Sequence, residues 1–350
     1  MMQVKIGDFT ISRDSAPFIV AEAGINHNGE IEKAFEMIRI AKKAGVDAIK
    51  FQTFKAEEFV ANSDLTFTYK SQGTEITESM MELFKRHEFT RDQWFEIKKK
   101  CDELDLLFFS TPQNYSDLKL LLDVGIPAIK IGSDDLINLP LLKDYSTSGL
   151  PIILSCGMSN LAEIYEALNV IGTFEEYPTI LLLTTSQYPT PTKDVNLLKL
   201  TTLSEAFPNL PLGFSDHTSG PLASSLALAL GARVFEKHFT INHTLPGPDH
   251  WFSEDPANLK IWSDSIKQSY EMLGDRIIRP TKIEEDMKNI ARRSIVALCD
   301  IKENDLFDSI NLGLRRPGNG LPPKILDQIV GKRATKNIKK GNILQFGDFK

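Results

Sequence analysis

Short apolar runs alternate with longer amphipathic stretches along most of the chain. The apolar runs are Phe18–Glu22 (FIVAE), Ala48–Gln52 (AIKFQ), Leu107–Ser110 (LFFS), Ala128–Ile131 (AIKI), Ile152–Ser155 (IILS), Thr179–Leu183 (TILLL), Leu212–Ser215 (LGFS) and Val234–His238 (VFEKH). Most lack a two-residue alternation, so they read as strands covered on both faces, as in a parallel sheet under helices. The stretches between them read as helices. Ile31–Ala44 carries apolar residues at spacings of three and four, and Gly45 stands where a helix ends. Thr90 with Gln93 forms a capping-box pattern, and Asp255-Pro256 reads as an N-cap with proline in the first turn. Eight such units predict an α/β fold, a (β/α)8 TIM barrel. The rival is a doubly wound open sheet. Against it, no GxGxxG follows the first strand, and polar residues cluster after nearly every strand. Residues 55–89 form a long polar insertion after the second strand, of the kind that often serves as a lid.

Near residue 280 the pattern changes. Pro280–Arg293 is charged and helix-like, with no strand after it. A short repeat follows: Ala297–Lys302 (ALCDIK) matches Ala334–Lys339 (ATKNIK), and each continues to an aliphatic residue, Leu306 or Ile343. The offset suggests a pseudo-symmetric β module. We therefore divide the chain into a barrel over 1–280, a linker over 281–292 and a small β-rich domain over 293–350. A module so small has a marginal core and is expected to pack against something else.

Composition narrows the functional classes. The 350 residues are 42% hydrophobic and 25% charged, an ordinary globular balance. Net charge is −7 and the pI is near 5.5, which leaves no basic footprint for nucleic acid. Cys101, Cys156 and Cys299 are sparse and include no CxxC, against a disulfide framework or a structural zinc site. No secretory h-region and no membrane-length apolar run is visible, so a cytoplasmic location is expected.

In such a barrel, function sits at the carboxyl ends of the strands. Those ends offer Glu22, Lys50 with Gln52, Ser110 and Thr111, Lys130 with Ser133, Ser155, Ser186 and Tyr188, Ser215 with His217, and Lys237 with His238. Lysines in apolar strands are rarely buried without a partner. With a ring of hydroxyls they point to an anionic ligand, a phosphate or carboxylate. The plainer alternative pairs each lysine with a barrel carboxylate such as Glu22 or Glu236. His217 and His238 end adjacent strands. They suit a catalytic divalent ion with open positions, or else serve as hydrogen-bonded core histidines or a general base. His27, in INHNG, reads as solvated or substrate-orienting, and His87 as exposed. His243 and His250 lie in the last loop, where Asp249 suits a substrate hydroxyl. Cys156 lacks an identifiable base and reads as a small packed residue.

Taken in order, VAEAGINHNG, DAIKFQTFKAE, FFSTP, AIKIGS, SQYPTP, GFSDHTSG and GARVFEKHFT resemble the sialic acid synthases, including their legionaminate and pseudaminate relatives. RRPGNG with GKRATKNIKKG resembles their antifreeze-like (SAF) domain. The resemblance spans essentially the whole chain. It implies condensation of phosphoenolpyruvate with the open-chain aldehyde of an N-acylated hexosamine, giving a nine-carbon 2-keto acid and phosphate. It implies a Mn2+ or Mg2+ ion on His217 and His238. It also implies a head-to-tail homodimer, in which each SAF domain caps the partner's barrel. Lys50, Thr111, Lys130, Ser133, Ser155, Ser186 and Ser215 would hold phosphoenolpyruvate. Glu22, Tyr188, Asp249 and Arg316 would meet the sugar, and Glu22 would also orient water or move a proton. Leu183 and Thr184 replace the family's usual His and Cys, and Cys156 stands where Thr is common. The resemblance leaves the sugar as N-acetylmannosamine, a 2,4-diacetamido-trideoxyhexose or a 6-phosphorylated sugar, the last the least favoured. The sugar loops lack the basic cluster that a 6-phosphate would favour. A lysine Schiff-base aldolase acting through Lys130 and a glycan- or ice-binding protein are the remaining readings.

Overall fold

The computed structural model describes all 350 residues. Eight parallel strands close into a barrel in sequential order. We label them β1 (Phe18–Gly24), β2 (Ala48–Thr53), β3 (Leu107–Pro112), β4 (Ile129–Ile131), β5 (Ile152–Ser155), β6 (Thr179–Leu183), β7 (Leu212–Ser215) and β8 (Val234–His238). The last four and the starts of β1, β2 and β3 match the hydrophobic runs. β1, β2 and β3 extend two, one and two residues further at their carboxyl ends than the apolar runs do. Those added residues are largely polar or glycine, which hydropathy does not flag.

Every residue of β1, β4, β5, β6 and β7 is buried, as the unalternating runs require. Helices cover the barrel. Among them are α1 (Ile31–Ala44), ended by Gly45 in the left-handed region, and the long helix Pro256–Leu273, capped by Asp255. The capping box at Thr90 and Gln93 forms, opening Arg91–Glu103. An N-terminal hairpin, Val4–Ile6 with Phe9–Ile11, was not foreseen. It is too short for a hydropathy signal, yet it buries Val4, Ile6 and Ile11 in the barrel core.

The insertion is structured. Ala56–Phe59 and Met80–Lys85 are short helices flanking an antiparallel hairpin, Thr66–Ser71 with Thr74–Ser79. The hairpin turns at Gln72 and Gly73, both at positive φ, which suits glycine at the second position. It is tied to the last βα loop: Gln72 donates to the Thr244 carbonyl at 2.8 Å, and the Ser71 hydroxyl accepts from the Gly247 amide at 3.1 Å.

Two compact units are present, Met1–Gly274 and Asp275–Lys350. The segment read as a linker contains the capped helix Lys282–Ala291. The second unit has its own core, including Ile295, Ile301, Phe307, Leu312, Ile338 and Leu344. Its repeat is a real symmetry. Equivalent residues Ile301 and Ile338 exchange both backbone hydrogen bonds, at 2.8 Å each. Ala297 donates to Asn342 and Ala334 to Asp305, which are again equivalent pairs.

Candidate active site

Strand register builds the floor of the site. It sets His238 beside Glu22, Glu22 beside Lys50, and Ser215 beside Glu236, all projecting inward at the carboxyl end. Lys50 lies 2.9 Å from Glu22 and 3.8 Å from Glu236; Lys130 lies 3.9 Å from Glu236. The lysines therefore pair with barrel carboxylates, as the plainer reading has it, and they also line the cavity. Burial raises the Glu22 pKa, opposed by Lys50. For Glu236 burial acts in the same direction, but Lys130 and Lys50 outweigh it and hold the group below its ordinary value. Burial lowers the Lys130 pKa; at Lys50 the pull of Glu22 and Glu236 overcomes burial and raises it. Two ammonium groups facing one cavity suit an arriving anion.

Around these charges the hydroxyls converge. Lys50 donates to Thr111 at 3.1 Å and Lys130 to Ser155 at 2.7 Å. Ser215 donates to Glu236 at 3.2 Å. Gly157 sits where a side chain could not: an added Cβ would lie 2.5 Å from the Ser186 hydroxyl and 2.8 Å from that of Ser133. This leaves a cradle of hydroxyls, with the Gly157 amide donating to Ser133 at 2.9 Å. One cavity of about 390 Å³ is lined by Glu22, Lys50, Thr111, Lys130, Ser133, Ser155, Ser186, Tyr188, Ser215, His217 and His238. A larger one, about 560 Å³, opens at the amino-terminal end of the barrel beside Met1 and Phe207, away from all of these groups.

The histidine pair fits a divalent cation. The rings of His217 and His238 are 5.6 Å apart. Burial pushes His217 down to about 4 and His238 well below its ordinary value, so both are neutral at neutral pH. The Thr185 carbonyl accepts from Nδ1 of His217 at 2.8 Å, which leaves Nε2 as the lone-pair nitrogen, with the Ser215 hydroxyl 3.5 Å away. Nδ1 of His238 is buried without any partner. No third His, Cys, Asp or Glu completes a cluster, so any ion here keeps positions open for substrate. The Tyr188 ring lies tilted against His217, centroids 4.1 Å apart. Asp249 lies beside Glu22 and His238 across the left-handed Gly24, whose Cβ would stand 3.5–3.7 Å from all three. Burial, with Glu22 adding to it, raises Asp249 to about 7. Arg316 lies exposed on the second unit, just past its strand Leu312–Arg315.

Two histidine readings are corrected. His27 is fully buried, stacked on Phe89 at 4.2 Å, rather than solvated or facing substrate. His87 is buried beside it, its ring 6.2 Å away, with Nδ1 bonded to the Leu83 carbonyl at 2.6 Å. Both are covered by packing of the insertion, which no local pattern announces. Lys237, counted among the strand-end groups, projects to the outer face of the barrel instead, against Asp216 at 3.2 Å. Cys156 is buried, and burial pushes its thiol up to about 12, which removes it as a nucleophile. Sequence reasoning missed Gln113, Asp134, Phe59, Phe84 and Met158, which also line the cavity. An FK pair or a lone Met carries no signal of its own.

Fold and cavity define a barrel whose carboxyl-end cavity suits an anionic small molecule beside a pair of neutral histidines. Comparison with known proteins makes this specific. The NeuB family profile matches residues 37–278, and the SAF domain profile matches 292–350. The chain is 39% identical over 330 residues to the N,N'-diacetyllegionaminic acid synthase of Campylobacter jejuni, covering 93% of this chain and 98% of that one. It is 33% identical to the pseudaminic acid synthase of the same species, covering 99% and 100%. Among solved structures, the N-acetylneuraminic acid synthetase of Leptospira borgpetersenii superposes with a TM-score of 0.72 at 32% identity, covering 81% of this chain and 94% of that one. The chain belongs to the NeuB family, the sialic-acid-type synthases that its motifs resemble, with a SAF domain at its carboxyl end.

Proposed function

We propose that this enzyme condenses phosphoenolpyruvate with the open-chain aldehyde of an N-acylated amino hexose, releasing phosphate and a nine-carbon 2-keto acid. The observation that carries this reading is the buried Lys50–Lys130 pair in its ring of hydroxyls, directly beside two neutral histidines. Lys50, Thr111, Lys130, Ser133, Ser155, Ser186 and Ser215 would hold the phosphate and carboxylate of phosphoenolpyruvate. His217 and His238 would hold a divalent ion, Mn2+ or Mg2+, which when bound supplies Lewis acidity toward an aldehyde oxygen. C3 of phosphoenolpyruvate forms the new bond to the aldehyde carbon. Water then adds at C2, and phosphate leaves with cleavage of the C–O bond. Glu22, with Oε2 buried and unpartnered and its proton affinity raised, is suited to orient that water or carry its proton. Tyr188 and Asp249 would contact the sugar.

We also propose a homodimer working in the cytoplasm, with Arg316 reaching the partner's barrel. No helix is long and apolar enough to cross a membrane. Residues 275–350 carry 16 Lys and Arg against 10 Asp and Glu, whereas the whole chain is −7, so residues 1–274 carry −13. Opposite charge on the two units supports pairing of unlike units between copies.

The test is phosphate release from phosphoenolpyruvate with Mn2+, comparing N-acetylmannosamine with 2,4-diacetamido-2,4,6-trideoxymannose. Sugar-dependent release is expected, abolished by excess chelator and by His238→Ala in a variant with unchanged circular dichroism. Full activity of that variant removes the metal role, and no release with any such aldehyde removes the reaction. The lowered ammonium pKa of Lys130 is the one observation favouring imine chemistry. Borohydride trapping with pyruvate would reveal it, and none is expected.

A further inference from the structure

We infer that the buried ion pair of Lys237 and Asp216, on the outer face of the barrel, is the device that holds His217 and His238 at their mutual spacing. The inference rests on the assignment of these histidines to a divalent ion. Each charged residue immediately precedes one of the histidines, so strand alternation turns the histidines into the cavity and the charges away from it. Registered pairing of β7 with β8 covers Gly213–Ser215, and one further bond runs from the Asp216 amide to the Glu236 carbonyl at 2.8 Å, so His217 lies just beyond the ladder, its carbonyl accepting from the Thr190 amide at 2.7 Å.

A connected set of polar side-chain contacts takes over from there. Asp216 and Lys237 are 1% and 2% exposed, with Asp216 Oδ2 at 3.2 Å from the ammonium. The same oxygen accepts from Ser224 Oγ at 2.6 Å, and Ser224 accepts from Trp262 Nε1 at 2.8 Å. Oδ1 of Asp216 accepts from the amide and hydroxyl of Thr218, at 2.9 and 2.7 Å. Lys237 also donates to the Thr218 carbonyl and lies 3.7 Å from Glu254. Glu254 accepts from the Gly220 amide at 2.8 Å, and its own amide donates to the His238 carbonyl at 2.9 Å. Each proton of the ammonium thus has an acceptor nearby. The segment 216–220, the end of β8 and the helix Pro256–Leu273 are tied to one another through Lys237, Asp216, Ser224 and Glu254. Groups that orient metal ligands from behind typically change metal affinity 10- to 100-fold when removed.

The positioning role is tested on the full chain by Mn2+ titration, followed by electron paramagnetic resonance, together with thermal melting and the KM of phosphoenolpyruvate. Lys237→Met and Asp216→Asn should weaken Mn2+ binding about 10- to 100-fold while the KM of phosphoenolpyruvate stays unchanged, and Lys237→Arg should recover most of the affinity. Ser224→Ala, which removes one contact and keeps both charges, should give a smaller loss in the same direction. It carries the test if the first two variants do not fold. Lower melting temperature with wild-type Mn2+ affinity in Ser224→Ala and Lys237→Met would reduce the pair to a structural role and overturn the inference. A wild type that binds no Mn2+, or binds it unchanged after His238→Ala, would instead overturn the metal assignment and this inference with it.

Discussion

Neutrality is the property shared by the buried histidines, and it has a measurable consequence. Burial holds His217 and His250 near 4. In the unfolded chain each takes a proton near 6.5. Above that pH neither state is protonated and nothing changes. As pH falls from 6.5 toward 4 the unfolded state gains protons that the folded state does not, so stability is lost through that window. The slope is about 1.4 kcal/mol per pH unit for each such group. His250 is fully buried between Thr240 at 2.6 Å and the side chain of Asn28 at 3.0 Å, outside the cavity. Asp249, held near 7, gains stability over the same window and works the other way, so the test is a difference between proteins: in urea melts of the metal-free protein at pH 7 and pH 5, His250→Gln should lose less stability on acidification than the wild type. An equal difference in that variant would mean that another group carries the acid lability. At this scale the sequence was readable at most strand ends: Lys50, Lys130, His217 and His238 converge, while Lys237 turns to the outer face. His27 and His87 were misread because their burial depends on Phe89 and the insertion, residues far from any motif they share.

The eight strands were legible because a sheet buried on both faces leaves uninterrupted apolar runs, and the capped helices because caps are local. The insertion was not, since its hairpin is tied to the last loop and its two short helices meet each other through Phe59 and Phe84, contacts that leave no periodicity. That element carries Phe59 and Phe84, whose rings meet edge-to-face at 5.0 Å and line the cavity. They follow β2 and so stand on the Glu22 and Gln52 side, across from the hydroxyl cradle of β4, β5 and β6. An apolar wall on that side suits the acyl and deoxy carbons of a sugar better than a phosphate. Phe84→Ala should raise the KM of the sugar about tenfold, an effect of roughly 1.4 kcal/mol for partial loss of one buried aromatic face, and leave the KM of phosphoenolpyruvate unchanged. Equal increases for both substrates would place the wall outside the sugar end.

On the scale of the whole molecule, the features left without use within one chain belong to the second unit. Its helix Lys282–Ala291 presents Ile283, Met287 and Ile290 on one face, 76%, 50% and 65% exposed, and Ile277 and Ile278 precede it in the open. Scattered apolar residues on a surface need no explanation, but five within fourteen positions, three of them at helical spacing, form a patch that water does not favour. The unit that bears it is positive and the barrel unit negative. An apolar face and opposite charges together favour burial against a second copy, the arrangement proposed above for Arg316. Light scattering coupled to gel filtration should then report twice the chain mass of 39.3 kDa. Ile283→Glu with Met287→Glu, which puts two carboxylates into that face, should yield single chains with an intact circular dichroism spectrum. Raised salt should shift the wild type in the same direction, because the electrostatic part of the association is screened. A wild type of single-chain mass would end the homodimer proposal. A doubly substituted variant that stays at twice the mass would keep the dimer and move its interface off this helix.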